Sequence, residues 1–250
     1  MVPSHLELQK IVELIRSIVF PDYYPASTQP EPLLNALLMI QLSTVLENTD
    51  DARRLSEEFC SQLPELRLLI ETDVEAAMCN DPAVKSKAEV IYCYPLIKEM
   101  LHYRPAHCLL KLGIPLIPRM LTEMAHSETG IDIHPAAQIG HHFCIDHGTG
   151  VVIGETCIIG NHVVLYQGVT LGAKNFQYDE KGIPMDVPRH PIIEDNVTVY
   201  SNASVLGRIR IGHDTVVGGN IWLTHDVPPH SRILQSKAVE TPFFQDGGGI

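Results

Sequence analysis

GIDIHPAAQIGHHFCIDHGTGVVIGETCIIGNHVVLYQGVTLGA, residues 130–173, counts in sixes. From Ile133, every sixth position gives Ile139, Ile145, Val151, Cys157, Val163 and Val169. Beyond an interruption the same phase gives Ile193, Val199, Val205, Ile211, Val217 and Leu223. Twelve of these thirteen positions are aliphatic, so the pattern is neither the period of about 3.6 of an amphipathic helix nor the alternation of an exposed strand. A period of six describes a parallel β-helix, in which short strands and tight turns stack into a prism and each repeat turns one aliphatic side chain inward.

Working outward, the repeat fills only the second half of the chain. Residues 1 to about 125 read as helices. Leu8, Ile11, Ile15 and Ile18 form one apolar face that stops at Phe20-Pro21, and a second helix is expected from Pro32 through Asn48. A third is expected with Asp50 or Asp51 as its cap, and further helices over 65–78, 84–103 and 105–125. The expected fold class is α+β, with a helical domain over 1–128, a left-handed parallel β-helix of hexapeptide repeats over 129–237 and a tail over 238–250. Residues 173–189, AKNFQYDEKGIPMDVPR, are too polar and too rich in Gly and Pro to continue the prism. Because Ile193 resumes the count, they must loop out and return.

With 18 Lys and Arg against 30 Asp and Glu, the net charge of −12 opposes binding to nucleic acid or anionic membrane. The six cysteines show neither CxxC pairs nor finger spacing, and no leader or membrane-spanning stretch is apparent. A cytoplasmic protein with reduced thiols is expected.

The polar residues gather at the start of the prism, where Asp132, His134, Asp146 and His147 lie among aliphatics and Gly148, Gly150 and Gly154 allow close approach. An imidazole oriented by a carboxylate is suited to taking a proton from a hydroxyl near neutral pH, so His147 with Asp132 or Asp146 is a candidate base. The bland alternative is that these are solvated turn residues.

The ordered set DIHPAAQIG, IDHGTGVVIGET, VTLGA and RHP, with NDPAV at 80–84 in the helical half, resembles the serine O-acetyltransferase family from about residue 80 to 230. The resemblance implies His147 as general base with Asp132 as its orienting partner, and serine-binding positions at Asp81, Asp146, Arg189 and His190. Carboxylates suit the ammonium of a zwitterion and a guanidinium suits its carboxylate. It implies acetyl-CoA as cosubstrate, closest to Gly172, Ala173, Ser201 and Gly219, in a ternary complex without a metal. Cys144 is the rival nucleophile for a covalent route. The sequence departs from the family pattern at Ala173, at Gly218-Gly219-Asn220, in SRILQSKAVET after His230, and in the length of the loop before Arg189. The ending GGGI resembles family members that insert a terminal isoleucine into O-acetylserine sulfhydrylase, which makes Ile250 the expected contact. Homotrimers, or dimers of trimers, with sites between neighbouring prisms are also implied. Three competing readings are a zinc enzyme using His142 and His147, a non-catalytic scaffold working through its tail, and acetyl transfer to another small hydroxyl compound.

Overall fold

The computed structural model describes residues 2–26 and 29–236, so Ile250 and the tail lie outside the described residues. Seven helices come first: α1 (His5–Val19), α2 (Pro30–Leu42), α3 (Thr49–Ser61), α4 (Leu63–Asn80), α5 (Lys87–Cys93), α6 (Pro95–Lys111) and α7 (Ile117–Thr129). Ser4 caps α1, accepting from the Glu7 N–H, and Asn48 caps α3, accepting from Asp50. The Asn48 cap displaces the expected Asp50 or Asp51, and α2 stops at Leu42 instead of running to Asn48.

The expected break before Pro105 is not there. α6 runs through Pro105, and the chain breaks instead at Tyr94-Pro95, with Pro95 opening α6. A residue before proline is turned away from the helical region, and a proline in a first turn gives up no hydrogen bond. Pro105 is held inside the helix by burial of nearly the whole α6 surface around it, Met100 through Ala106 being buried.

The strands are β1 (Asp132–Ile133), β2 (Gln138–Ile139), β3 (Cys144–Asp146), β4 (Val152–Ile153), β5 (Ile158–Ile159), β6 (Val164–Tyr166), β7 (Thr170–Gly172), β8 (Ile192–Ile193), β9 (Thr198–Val199), β10 (Ser204–Leu206), β11 (Arg210–Ile211), β12 (Val216–Val217), β13 (Trp222–Leu223) and β14 (Arg232–Ile233). They form three parallel sheets, β1-β4-β7-β10-β13, β2-β5-β8-β11 and β3-β6-β9-β12-β14, the faces of a left-handed prism of about five turns. Each face takes one short strand per coil, so successive coils hydrogen-bond in register and the aliphatic columns fill the interior.

Outside the 173–189 segment, and as far as Leu223, the count of six breaks at one place. Ile133 pairs with Ile153, twenty residues on, whereas Ile153 pairs with Leu171 and Val205 with Leu223, eighteen on. The first coil therefore holds two extra residues. Val151, Cys157, Val163 and Val169, which the count assigns to the Ile133 column, stand instead in the neighbouring column of Ile131, Ala137 and Phe143, which is also buried. The coil containing the 173–189 segment spans thirty-four residues, Leu171 to Val205. Its sixteen extra residues and the earlier two make one whole coil, which is why Ile193 returns on the original phase.

The two extra residues lie at the corner between the third and first sheets. Asp146 pairs with Tyr166 and Val152 with Thr170, so five residues, 147–151, turn a corner that three, 167–169, turn one coil later. His147 (φ 59°) and Gly148 (φ 90°) follow one another there in left-handed conformations. A Cβ on Gly148 would stand 2.6 Å from Ile131 Cδ1, so this turn needs glycine both for its backbone angle and for its packing.

The helical half is joined to the prism by a buried ion pair. Arg104 Nη2 and Nε donate to Asp73 at 2.9 and 3.1 Å, and two further donors reach the carbonyls of Ile139 and Gly140 at 2.7 Å each. Asp73 also accepts from the Phe143 N–H at 3.1 Å, so four of the five Arg104 donors and both Asp73 oxygens are bonded within the protein.

Candidate active site

The slipped corner presents the first group. His147 is exposed at its tip and Asp146, half-buried, precedes it. From the helical half, Asp81 caps the end of α4. Its carboxylate accepts from the Ala83 N–H at 2.7 Å and from the Tyr94 hydroxyl. The Tyr94 hydroxyl and the Ala83 N–H hold the Asp81 carboxyl below the usual carboxylate range, and a charge on nearby His147 acts in the same sense. Asp81, Tyr94, Asn80, Cys144 and Asp146 line one small cavity. Two carboxylates beside an imidazole suit an ammonium and a hydroxyl on one small molecule. Tyr94, supplied by the helix break that sequence reasoning misplaced, was not among the candidates; the Tyr-Pro pair was its signal.

Above this corner the ladder continues outward. Tyr166 and Tyr200 follow Asp146 in register and stack with centroids 4.8 Å apart. Ser201 and Gly219 lie in successive coils of the same corner, a Cβ at Gly219 falling 3.2 Å from Ser201 O.

The second group occupies the corner between the first and second sheets. The long loop ends at Arg189 and His190, and Thr156 anchors it, its hydroxyl accepting from the N–H groups of Arg189 at 2.9 Å and His190 at 3.1 Å. Arg208 Nη1 holds the same segment through the carbonyls of Thr156 at 2.7 Å and His190 at 3.0 Å. The Arg189 guanidinium pairs with Glu155. The His190 ring is buried and accepts from the Thr156 N–H at Nδ1, 3.1 Å, which assigns the proton to Nε2. Burial, with Arg189 beside it, pushes His190 down to about 4, so it acts as a neutral hydrogen-bond donor and not as a cation. A Cβ on Gly154 would lie 2.0 Å from that ring, so only glycine leaves room for it. Glu155, Thr156 and Arg208 were not read from sequence. Gly172 and Ala173 belong to this corner too, where Gly172 O accepts from Gly207 N at 2.9 Å.

Asp132 lies between the corners, on the outer side of the first sheet. Its nearest charged partner is Arg119 Nη1 at 3.8 Å, and among the described residues no hydrogen bond joins it to His147. One chain thus carries two separate groups of candidate residues: Asp81, Asp146 and His147 with Ser201 and Gly219 at one corner, and Arg189 and His190 with Gly172 and Ala173 at the next.

Two rival chemistries fit poorly. Cys144 is buried, and burial pushes its thiol up to about 12, which makes it a small hydrophobe and not a nucleophile. His142 and His147, the pair a zinc enzyme would use, sit at different corners, and His107 Nδ1 lies against the Pro135 carbonyl at 2.8 Å. All six cysteines are free, and no described helix is long and apolar enough to cross a membrane.

A helical cap on a left-handed hexapeptide prism, with an exposed histidine beside carboxylates at a corner, defines the class of β-helix acyltransferases. No protein-family model matches the chain. A serine acetyltransferase of Synechococcus elongatus, named as the plasmid form, is 43% identical over 99% of this chain and 86% of its own length. The serine acetyltransferase of Bacillus licheniformis is 43% identical over 66% of this chain and 73% of its own. Among solved structures, isoform 3 of serine acetyltransferase from Entamoeba histolytica, in complex with cysteine, superposes with a TM-score of 0.82 at 38% identity, covering 97% of this chain and 86% of that one. The soybean enzyme complexed with serine gives a TM-score of 0.64 at 28% identity, covering 92% and 96%. The chain belongs to the serine acetyltransferase family.

Proposed function

We propose that the chain transfers the acetyl group of acetyl-CoA to the hydroxyl of L-serine, giving O-acetylserine for cysteine synthesis, and that it does so at sites completed between neighbouring chains of a trimer. The observation that carries the reading is the division of the polar residues between two corners of one prism. With first sheets turned toward a threefold axis, the His147 corner of one chain meets the Arg189 corner of the next. The outer column of that sheet supports the arrangement, since Val152 and Trp222 are exposed there at 36% and 73% with only Thr170 and Ser204 between them.

In this site the serine ammonium lies between Asp81 and Asp146, and its carboxylate meets Arg189 and the Nε2–H of His190. His147 takes the hydroxyl proton while the oxygen attacks the thioester carbonyl. Collapse of the tetrahedral intermediate breaks the C–S bond, and the imidazolium returns its proton to the departing thiolate. Asp132 of the neighbouring chain orients the imidazole and balances its transient charge. Acetyl-CoA runs along the groove, with Gly172 and Ala173 on one wall and Ser201 and Gly219 on the other. No metal takes part in the reaction. We assign the chain to the cytoplasm, in keeping with the exposed thiols of Cys79 and Cys93. Ile250 offers a carboxylate on an apolar anchor to O-acetylserine sulfhydrylase, and trimers pair through the helical half.

The test is coenzyme A thiol release with acetyl-CoA and, separately, serine, homoserine or an amino sugar. Serine-dependent release supports the reading. Release only with another acceptor redirects it, and no release while Ile250-dependent partner binding persists leaves a scaffold.

A further inference from the structure

The remaining corner, between the second and third sheets, carries a cluster that acetyl transfer does not use. His142 (φ 54°) and His162 (φ 56°) occupy the same left-handed position in successive coils, so their rings stack with centroids 4.4 Å apart at 24°. His141 stands edge-on to both, at 4.9 and 5.2 Å. One ligating nitrogen from each of the three lies within 4.8 Å of the other two, with His141 Nδ1 2.7 Å from His142 Nδ1. Glu75, on α4, places Oε2 3.3 Å from His142 Nε2.

The backbone beneath these rings is held from several sides. The His142 N–H donates to Thr72 Oγ1 at 3.0 Å, the His141 N–H to Asn161 Oδ1 at 3.1 Å, and the His162 N–H to the His141 carbonyl at 3.0 Å. Only side-chain torsions need change for the nitrogens to converge. A tetrahedral ion with metal–nitrogen bonds of about 2.0–2.1 Å sets its ligand atoms roughly 3.3 Å apart, so the closure required is on the order of an ångström.

We propose that His141, His142 and His162 bind a late first-row divalent cation, zinc foremost, His142 through Nδ1 on the side of His141, with Glu75 accepting from the Nε2–H of His142 and holding that ring in place. Three imidazoles select such ions over magnesium or calcium, which take oxygen ligands. The same edge of the prism carries a second group, His213, Asp214 and His230, in which a carboxylate replaces one imidazole and bonds His213 Nδ1 at 2.7 Å. A third group, Glu123, His126 and Asp132, joins α7 to β1, but only the first offers three imidazoles, and Glu75 on α4 holds one of them, so the site would tie α4 to the prism. It stands at a different corner from both groups of candidate active-site residues, and its role is structural.

The experiment uses the full chain, prepared without a histidine tag and freed of metal by a chelator, then titrated with zinc chloride in competition with a chromophoric chelator. One ion per chain is expected, with affinity at least about tenfold weaker in His141→Gln and in His162→Asn, since even outer-shell partners of a metal act on that scale. Asparagine already occupies the equivalent corner position at Asn196 (φ 59°), so His162→Asn keeps the backbone. His213→Gln is expected to bind as the parent does. Serine-dependent thiol release should be unchanged in His162→Asn. Zinc binding weaker than about 0.1 mM in the parent, equal binding in the His141→Gln/His162→Asn double variant, or loss confined to His213→Gln would each overturn the proposal.

Discussion

If each site is built from two chains, two inactive variants should restore one another. His147→Ala removes the base from the slipped corner and should lower turnover by roughly 10² to 10⁴. Arg189→Ala removes the carboxylate anchor from the other corner and leaves His147 in place. In trimers assembled from an equal mixture, a site works when the chain giving the first corner is the arginine variant and the chain giving the second is the histidine variant. Random assembly makes that about one quarter of all sites. Co-refolded or co-expressed protein should therefore show about a quarter of wild-type thiol release, against a background near one per cent. Native mass spectrometry of the same sample counts the mixed trimers. Mixed trimers at the expected abundance, with activity no greater than that of the two parents averaged, would refute the shared site and return all the named residues to one chain.

Other perturbations follow from particular contacts. Gly148→Ala forces a side chain into a φ of 90° and against Ile131; it should leave far-ultraviolet circular dichroism unchanged and lower kcat about 10²-fold, the scale of an ångström's misplacement of a base. Glu99 is buried, its Oε1 without a partner among the described residues, and burial lifts its carboxyl to about 8. Between the ordinary carboxyl value of about 4.3 and 8 the folded protein therefore holds a proton that the unfolded chain has lost, and stability falls as pH rises through that window. Glu99→Gln should flatten this fall, seen as urea midpoints that no longer drop between pH 5.5 and 8. Arg104→Met strands Asp73 in the interior and should cost about 3–5 kcal/mol by urea unfolding, whereas replacing both partners with apolar residues should cost less. Trp222, the one tryptophan of the chain, is 73% exposed in the protomer; its emission should be blue-shifted in the trimer and move to the red on dilution or mild denaturation that separates chains, and a water-like spectrum in an intact trimer would rule out the proposed interface.

The prism was legible because its rule is local. Each coil asks for aliphatics at fixed positions, and Ile133, Ile145 or Val217 satisfy it whatever lies elsewhere in the chain. The helices were legible as apolar faces, but their ends were set by proline geometry and tertiary burial acting against each other. Pro105 is buried in mid-helix while Pro95 ends one helix and starts another, and only the second follows from the dipeptide alone. The candidate site residues were named by motif, without their grouping. Sequence distance placed Asp132 fifteen residues from His147, yet in the folded chain Asp132 faces Arg119. Thr156, Arg208 and Tyr94 went unread because their roles are hydrogen bonds across 33, 18 and 13 positions, to Arg189, His190 and Asp81, which no local pattern encodes.

In a stacked fold, phase along the sequence and position in space are separate quantities. Each coil bonds only to its neighbours, so extra residues can be held in one corner while the coils above and below keep their register. Disturbance of the period is therefore cheap to the scaffold and informative to the reader. Between Ile133 and Leu223 the period is disturbed twice, by the His147-Gly148 pair and by the sixteen extra residues before His190, and these are the two places where His147 and the Arg189-His190 pair leave the prism. A regular third-to-first corner offers Gln167 or Ser201 close to the wall. Two added residues with positive φ lift an imidazole clear of it, at a conformational cost of about 1–2 kcal/mol for the non-glycine residue, which the flanking bonds of Gly150 N to Gly130 O at 2.8 Å and Cys144 N to Val163 O at 3.0 Å help to offset. The proposed metal corner, by contrast, keeps the period, with four residues in each coil, 140–143 and 160–163, because stacking two imidazoles requires the coils to be in step.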